Sequence, residues 1–374
     1  MPAGMFPLGG PVPREDIVHR EDFLISLISR LSAGQSIILS GPRRIGKTSL
    51  AHEVLRRLKE QGYYTGTVDF FRMTGKRDLA THIINACLEN RTGLGKTMDA
   101  LKDRARAIAG TAKLAVKIED LELILGFPQQ EPDEEKLLDY ALELPGVLAE
   151  RDNKQMVVLL DEFQDAGRIA GNDIYKRMRA HFQVQNKVAY LFLGSKEGMM
   201  ETLFGDRKQA FYRFATMLPL PPIPEQSWIS YITHKFNSRG VGTDRDSLVQ
   251  IIDKTGGHPQ DTMLVCSEIF YALLEAGQNK LSREMVRLGY ERAMLTLTPV
   301  FDEMLDETSR PPAARRVLRS LATGGGIYSG DKHPNETKRA VDLLITKAII
   351  EKKSRGSYAF VEPMFKDYLT RVFA

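Results

Sequence analysis

The chain is 374 residues long, 43% hydrophobic and 27% charged, which allows two or three domains with sizeable buried cores. Its net charge of +4 is too small to make the whole chain a nucleic-acid binder. Cys87 and Cys266 stand far apart, with no Cys or His at ligand spacing, which argues against a disulfide framework and a zinc site.

No stretch reaches the roughly eighteen consecutive apolar residues that span a bilayer, and MPAGMFPLGGPVP lacks a basic region followed by a long apolar one. The expectation is a cytoplasmic protein without a membrane partner. Residues 1–13, rich in Pro and Gly, read as an irregular lead-in. In 20–31, Phe23, Leu24, Leu27, Ile28 and Leu31 fall on one helical face. SIILS (36–40) is a short buried strand, and GPRRIGKTSLAHEVLRRLKEQG (41–62) a loop passing into an amphipathic helix that stops at Gly62. YYTGTVDF (63–70) predicts a second strand and LATHIINACLEN a helix near 79–90. Residues 91–135, scattered basic groups followed by PQQEPDEE, read as an insertion.

A helix at 135–151 precedes QMVVLLDEF, whose continuous apolar run fits a central parallel strand covered on both faces; VAYLFLG (188–194) repeats the pattern. Strands alternating with helices imply βαβ units and a parallel sheet through about residue 222. After LPLPPIP the segments around 225–238, 244–254, 259–276 and 281–296 are helical. Beyond Pro311 and Pro312, two helices separated by a Gly-rich break, a hairpin (IIEKKSRGSYAFVE) and a last helix read as a winged helix. This gives an α/β fold class with three units: a P-loop core at 1–222, a helical unit at 223–300 and a winged helix at 301–374. Charge is uneven among them, because residues 311–374 hold twelve Lys/Arg against six Asp/Glu and leave the rest near −2.

Gly41-Pro42-Arg43-Arg44-Ile45-Gly46-Lys47-Thr48 matches G-x-x-x-x-G-K-[ST] between a strand and a helix, the context that phosphate binding requires. Glycines let the backbone curl so that its N–H groups face phosphate oxygens, and the helix adds its positive end. Gly41 through Thr48, with Ser49, form the candidate nucleotide-binding segment, in which Lys47 reaches the β and γ phosphates and Thr48 binds Mg²⁺. The strand 157–160 ends in Asp161-Glu162, at the sheet edge where ligands bind. Asp161 is the candidate for holding Mg²⁺ through water, and Glu162 the candidate base for the attacking water. Ser195, after the next strand, either polarises the γ-phosphate or water or caps a helix. Asn186-Lys187 is followed by Val188-Ala189, so no N-K-x-D guanine signature appears and ATP is the expected nucleotide.

The segments HREDFLISLISRL, SIILSGPRRIGKTSL, VVLLDEFQ, LFLGSKEGMM, FYRFATMLPLPPIP, TGGHPQDTMLV and YAFVEPMFKDYL resemble the AAA+ superfamily. Within it the chain is similar to the archaeal-type ATPase family, allied to STAND and origin-recognition ATPases, over nearly its whole length. The resemblance implies an αβα P-loop NTPase core, a helical lid and a C-terminal winged helix. It implies that Arg20, with Val18 and His19, lies in the segment that touches adenine. Arg213 in FYRF takes the place of an arginine finger offered to a neighbouring subunit of a homo-oligomer in the ATP state, with Arg207 as the competing candidate. Where many lids carry a γ-phosphate-sensing arginine, this chain has Gly256-Gly257-His258-Pro259, closer to the STAND pattern in which the proline, here Pro259, packs on the nucleotide; His258 either contacts phosphate or caps the following helix.

In the tail, Lys332, Lys338, Arg339, Lys352, Lys353 and Arg355 could meet DNA phosphates. The Gly-rich break leaves little room for a helix before the recognition helix, so a protein partner stays open. The resulting expectation is an ATP-hydrolysing switch acting with DNA or a protein partner. The alternatives are a nucleotide-gated binding module with negligible turnover, and a DNA-stimulated remodelling ATPase in defence or mobile-element processes.

Overall fold

The structure, a computed structural model, describes residues 5–90, 133–328, 333–354 and 356–374. The insertion expected at 91–135 falls almost wholly outside these, as do Lys332 and Arg355.

Helix α1 (Glu21–Ser32) leads into strand β1 (Ile37–Ser40), the P-loop and α2 (Lys47–Glu60); β2 (Tyr64–Asp69) and α3 (Lys76–Leu88) follow. Helix α4 (Glu134–Arg151) is capped by the Asp133 side chain, which accepts from the Lys136 N–H at 2.8 Å. Then come β3 (Met156–Asp161), α5 (Ala166–Ala170), α6 (Ile174–Phe182), β4 (Val188–Leu193), α7 (Glu197–Gly205) and β5 (Thr216–Pro219). The five strands are all parallel, in the order β2-β3-β4-β1-β5.

The apolar runs are continuous because alternate residues face opposite layers. Val158, Leu160, Tyr190 and Phe192 join a core with α3, α4 and α6, whereas Val157, Leu159, Leu191 and Leu193 join one with α1 and α2. A sheet sandwiched this way is the αβα layer expected.

The edge strand β5 is a departure from the expected elements. Its residues alternate between half-buried and exposed and end in Pro219, so no continuous apolar run marks it. It pairs with β1 from Ile37↔Thr216 to Ser40↔Pro219.

Four helices follow: α8 (Glu225–Asn237), α9 (Arg245–Thr255), α10 (Pro259–Glu275) and α11 (Arg283–Ser309). The last was expected near 281–296 and instead runs through Pro299 to Ser309, across the expected unit boundary at residue 300. It thereby joins the helical lid to the C-terminal winged helix, made of α12 (Pro312–Ala322), α13 (Pro334–Thr346), the antiparallel pair β6 (Ile350–Ser354) and β7 (Ser357–Phe360), and α14 (Pro363–Phe373). The two units share one apolar core. Phe301 of α11 packs against Phe365 and Tyr368 of α14 at 5.2 and 5.5 Å between ring centres, and Tyr290 donates to Asp367 at 2.9 Å. Both cysteines are buried, free thiols, and burial pushes each thiol's pKa up. Among the described residues no helix is long and apolar enough to cross a membrane.

Candidate active site

Ends of parallel strands leave backbone groups and loops converging at one edge of the sheet, and here β1, β3 and β4 deliver the P-loop, Asp161-Glu162 and Ser195 to the same cavity of about 370 Å³. At the P-loop's last turn Gly46 has φ 94°, a left-handed conformation that glycine adopts without strain, and it serves as the N-cap of α2. Lys47 is buried, and its Nζ donates to the carbonyls of Gly41 and Pro42 at 2.6 and 2.8 Å. The ammonium therefore closes the loop on itself and stands at its mouth.

The Thr48 hydroxyl donates to Asp161 Oδ2 at 3.1 Å. Burial raises the pKa of Asp161, and the neighbouring Glu162 charge raises it further, against the hydrogen bonds from Thr48 and the Glu162 N–H. An anion held in this way is short of positive charge, and a divalent cation beside Thr48 and Asp161 would supply it; the oxygen donors suit Mg²⁺.

Glu162 sits at a sharp turn with φ 53°, and the next residue, Phe163, is fully buried among Phe70, Phe192 and Phe211. That aromatic anchor fixes the turn. Three donors converge on Glu162 Oε2: the Ser195 hydroxyl at 2.7 Å, the Ser195 N–H at 3.2 Å and the Gln164 amide. Ser195 thus acts on the carboxylate, and the alternative reading as a helix cap is not what its side chain does; Lys196 is the N-cap of α7.

Of the remaining expected site residues, Val18, Arg20 and Pro259 line the cavity. The buried Arg20 guanidinium donates to the Pro221 carbonyl, and burial lowers its pKa to about 10. His19 is exposed. His258 makes no side-chain cap; its Nε2 lies 3.2 Å from the Arg43 carbonyl, so the ring meets the P-loop backbone. Arg213 lies apart from the other site residues. Phe211 and Phe214 pack into the core and Arg213 is left exposed with φ 54°, beside Ser36, Val188 and Thr216 at the amino edge of the sheet. Arg207 is also exposed.

The cavity includes residues that sequence reasoning missed. Residues 7–12 of the lead-in line it, tied down by the Val12 N–H donating to Ser49 Oγ at 3.0 Å, and Ile223, Trp228, Gln260 and Met263 complete its wall. Trp228, the chain's single tryptophan, donates to the Gly257 carbonyl at 3.0 Å.

This fold and site define a P-loop ATPase of the AAA+ type. The chain belongs to the family described as the ATPase domain predominantly from Archaea, whose model matches residues 18–265. No curated protein sequence shows a significant match. Among solved structures, the Walker-type ATPase PABY2304 of Pyrococcus abyssi is similar with a TM-score of 0.71 at 16% identity, over 98% of this chain and 99% of that one. The Aeropyrum pernix ORC2 protein in ADPNP–ADP complexes gives 0.59 at 16%, over 99% and 96%. The Aeropyrum pernix ORC1 protein in complex with DNA gives 0.50 at 16%, over 97% and 94%. At these identities the likenesses speak for the fold.

Proposed function

We propose that the chain binds ATP with Mg²⁺ and hydrolyses it to ADP and phosphate, and that the bound nucleotide sets the relation of core, lid and winged helix. The observation that carries this reading is the convergence on one cavity of Lys47, the Thr48–Asp161 pair and Glu162 with three donors on one oxygen. Similarity to a protein solved with ADPNP and ADP supports the choice of nucleotide.

In this reading the P-loop N–H groups and Lys47 hold the phosphates, while Thr48 and Asp161 hold Mg²⁺. The cation's contribution is to offset charge on the phosphate oxygens. Residues 7–12, Val18, Ile223, Trp228, Pro259 and Met263 enclose the rest of the nucleotide and keep water out. Ser195 and Gln164 fix Glu162 through Oε2, leaving Oε1 as the oxygen that takes the proton from the attacking water. Arg213, exposed and remote from its own P-loop, is available to a neighbouring copy as a finger in trans; Arg207 remains its rival for that role.

For the partner, a second reading is that DNA stimulates turnover. Exposed Lys338 and Arg339 on α13 and Lys352 on β6 favour it, together with likeness to a protein solved with DNA. The test is steady-state ATP hydrolysis across protein concentrations at fixed low salt, with and without duplex and single-stranded DNA. A rate that rises with DNA supports a DNA-acting ATPase. Slow turnover indifferent to DNA supports a switch that awaits a protein partner. Absence of ATP binding would refute both.

A further inference from the structure

At the P-loop, beside the phosphate-binding turn, four charged or ionisable side chains from three parts of the chain meet. Arg44, in a left-handed conformation with φ 65°, extends its guanidinium to within 3.6 Å of Glu362 Oε2. Glu362 is the N-cap of α14 in the winged helix and is buried. Beside it are His258 and Asp261 at the start of α10, both buried, with His258 Nδ1 3.5 Å from Asp261 Oδ1 and Nε2 facing the Arg43 carbonyl. Core, lid and winged helix therefore converge on two adjacent P-loop residues.

This junction is incompletely satisfied. Glu362 Oε2, His258 Nδ1 and Asp261 Oδ2 are buried without a hydrogen-bond partner among the described residues, and such groups are costly to leave so. Burial and the Asp261 charge raise the pKa of Glu362, and Arg44 opposes them. Arg44 is the ion-pair partner of the carboxylate, at a separation longer than a good hydrogen bond, and His258 and Arg43 add weaker opposing charge.

The surroundings are tightly built around it. Gly256 has φ 60°, and a Cβ there would come within 2.6 Å of Pro363 Cγ, so the lid turn is shaped to receive the first residue of α14. The carbonyl of the next residue, Gly257, is held by the Trp228 indole. Arg43 and Arg44 thus touch the lid turn through His258 and the start of α14 through Glu362.

We propose that Glu362 is the positioning residue that couples the phosphate site to the winged helix, with Arg44 as the element it reads. This rests on the nucleotide-binding reading above. Bound phosphates are anions within reach of the same loop, and they compete with Glu362 for Arg44; once the arginine turns to the phosphates, the buried carboxylate loses its ion-pair partner, keeps only the weaker charges of His258 and Arg43, and the first turn of α14 loosens from the core. Without nucleotide, or with the charge removed, that exchange cannot occur.

The experiment is amide hydrogen exchange of the segment 361–373 in the full chain, with and without saturating Mg²⁺-ADPNP, with binding followed independently through Trp228 fluorescence. In the wild type, ADPNP should raise exchange of this segment several-fold. In Glu362→Gln, which keeps size and removes charge, the segment should exchange alike with and without ADPNP while the analogue still binds. Arg44→Gln alters a partly exposed side chain and leaves the buried groups in place; it should give the same loss, and the double variant no more than either alone. A nucleotide-dependent change that persists in Glu362→Gln, or a wild type that binds ADPNP with no change in 361–373, would overturn the coupling and leave nucleotide binding intact. A wild type that does not bind ADPNP would overturn the nucleotide reading and this one with it.

Discussion

Ser195 and Glu162, at the ends of the neighbouring strands β4 and β3, are joined by a 2.7 Å hydrogen bond in which the hydroxyl donates to the carboxylate. The Ser195 N–H adds a second bond to the same oxygen at 3.2 Å, so the backbone shares the work of aiming Glu162. Removing the hydroxyl leaves the N–H and the Gln164 amide in place. Ser195→Ala should therefore lower kcat by roughly tenfold, ~1.4 kcal/mol, with little change in the KM for ATP; steady-state kinetics check this. A kcat as low as that of Glu162→Gln would mean that Ser195 touches the reacting atoms itself.

Lys47 is already placed at the P-loop mouth by the Gly41 and Pro42 carbonyls. Lys47→Ala removes the one ammonium in that loop and should weaken ATP affinity on the order of 100-fold, ~2.7 kcal/mol. Trp228 lines the same cavity and is the sole tryptophan, so its fluorescence titrated with Mg²⁺-ATP reports binding directly. Wild-type affinity in Lys47→Ala would exclude a phosphate-binding role for this lysine.

On α2, Glu53 is buried and held by Arg56 through both its oxygens, at 2.7 and 2.8 Å, with Arg57 at 2.7 Å. The Arg56 bonds, opposed by burial and reinforced by Arg57, lower its pKa from 4.5 to about 2. The unfolded chain then binds more protons than the folded one between these values, so stability is present above about 4.5 and is lost as pH falls toward about 2. Glu53→Gln should lower stability at neutral pH and flatten that acid limb, as seen in urea melts from pH 6 to about 2.5. An unchanged limb would show that other carboxylates control it.

How much of this was legible follows from where each signal resides. The P-loop and the apolar runs ending in Asp161-Glu162 and Gly194-Ser195 are local patterns, so the sheet and the main residues of the candidate site could be read directly. Strand β5 could not, because an edge strand with one half-exposed face carries no apolar run and its Pro219 reads as a break. The lead-in's place on the cavity rests on a bond from Val12 to Ser49, across 37 residues, for which no periodicity exists. Helix α11 hides the expected boundary because Pro299 is accommodated within it. The meeting of Arg44 with Glu362 is purely tertiary: Arg44 reads as a P-loop residue, and nothing local in the sequence ties it to a carboxylate 318 positions away.

Arg213 is exposed at the amino edge of the sheet, whereas the P-loop leaves the carboxyl edge. As a finger in trans it should matter only in assemblies. Arg213→Ala should lose most concentration-dependent ATPase activity, and mixing it with Glu162→Gln subunits should restore part of it, since each supplies what the other lacks. Unaltered activity in Arg213→Ala would remove this role and turn attention to Arg207.

The most direct test of the central claim is single-turnover ATP hydrolysis by wild type and Glu162→Gln with saturating Mg²⁺, each scored for ATP bound and ADP formed. Turnover in the wild type, with Glu162→Gln retaining ATP but forming ADP at least about 100-fold more slowly, is the predicted result. Equal rates in the two proteins, or bound ATP that the wild type never cleaves, would contradict it.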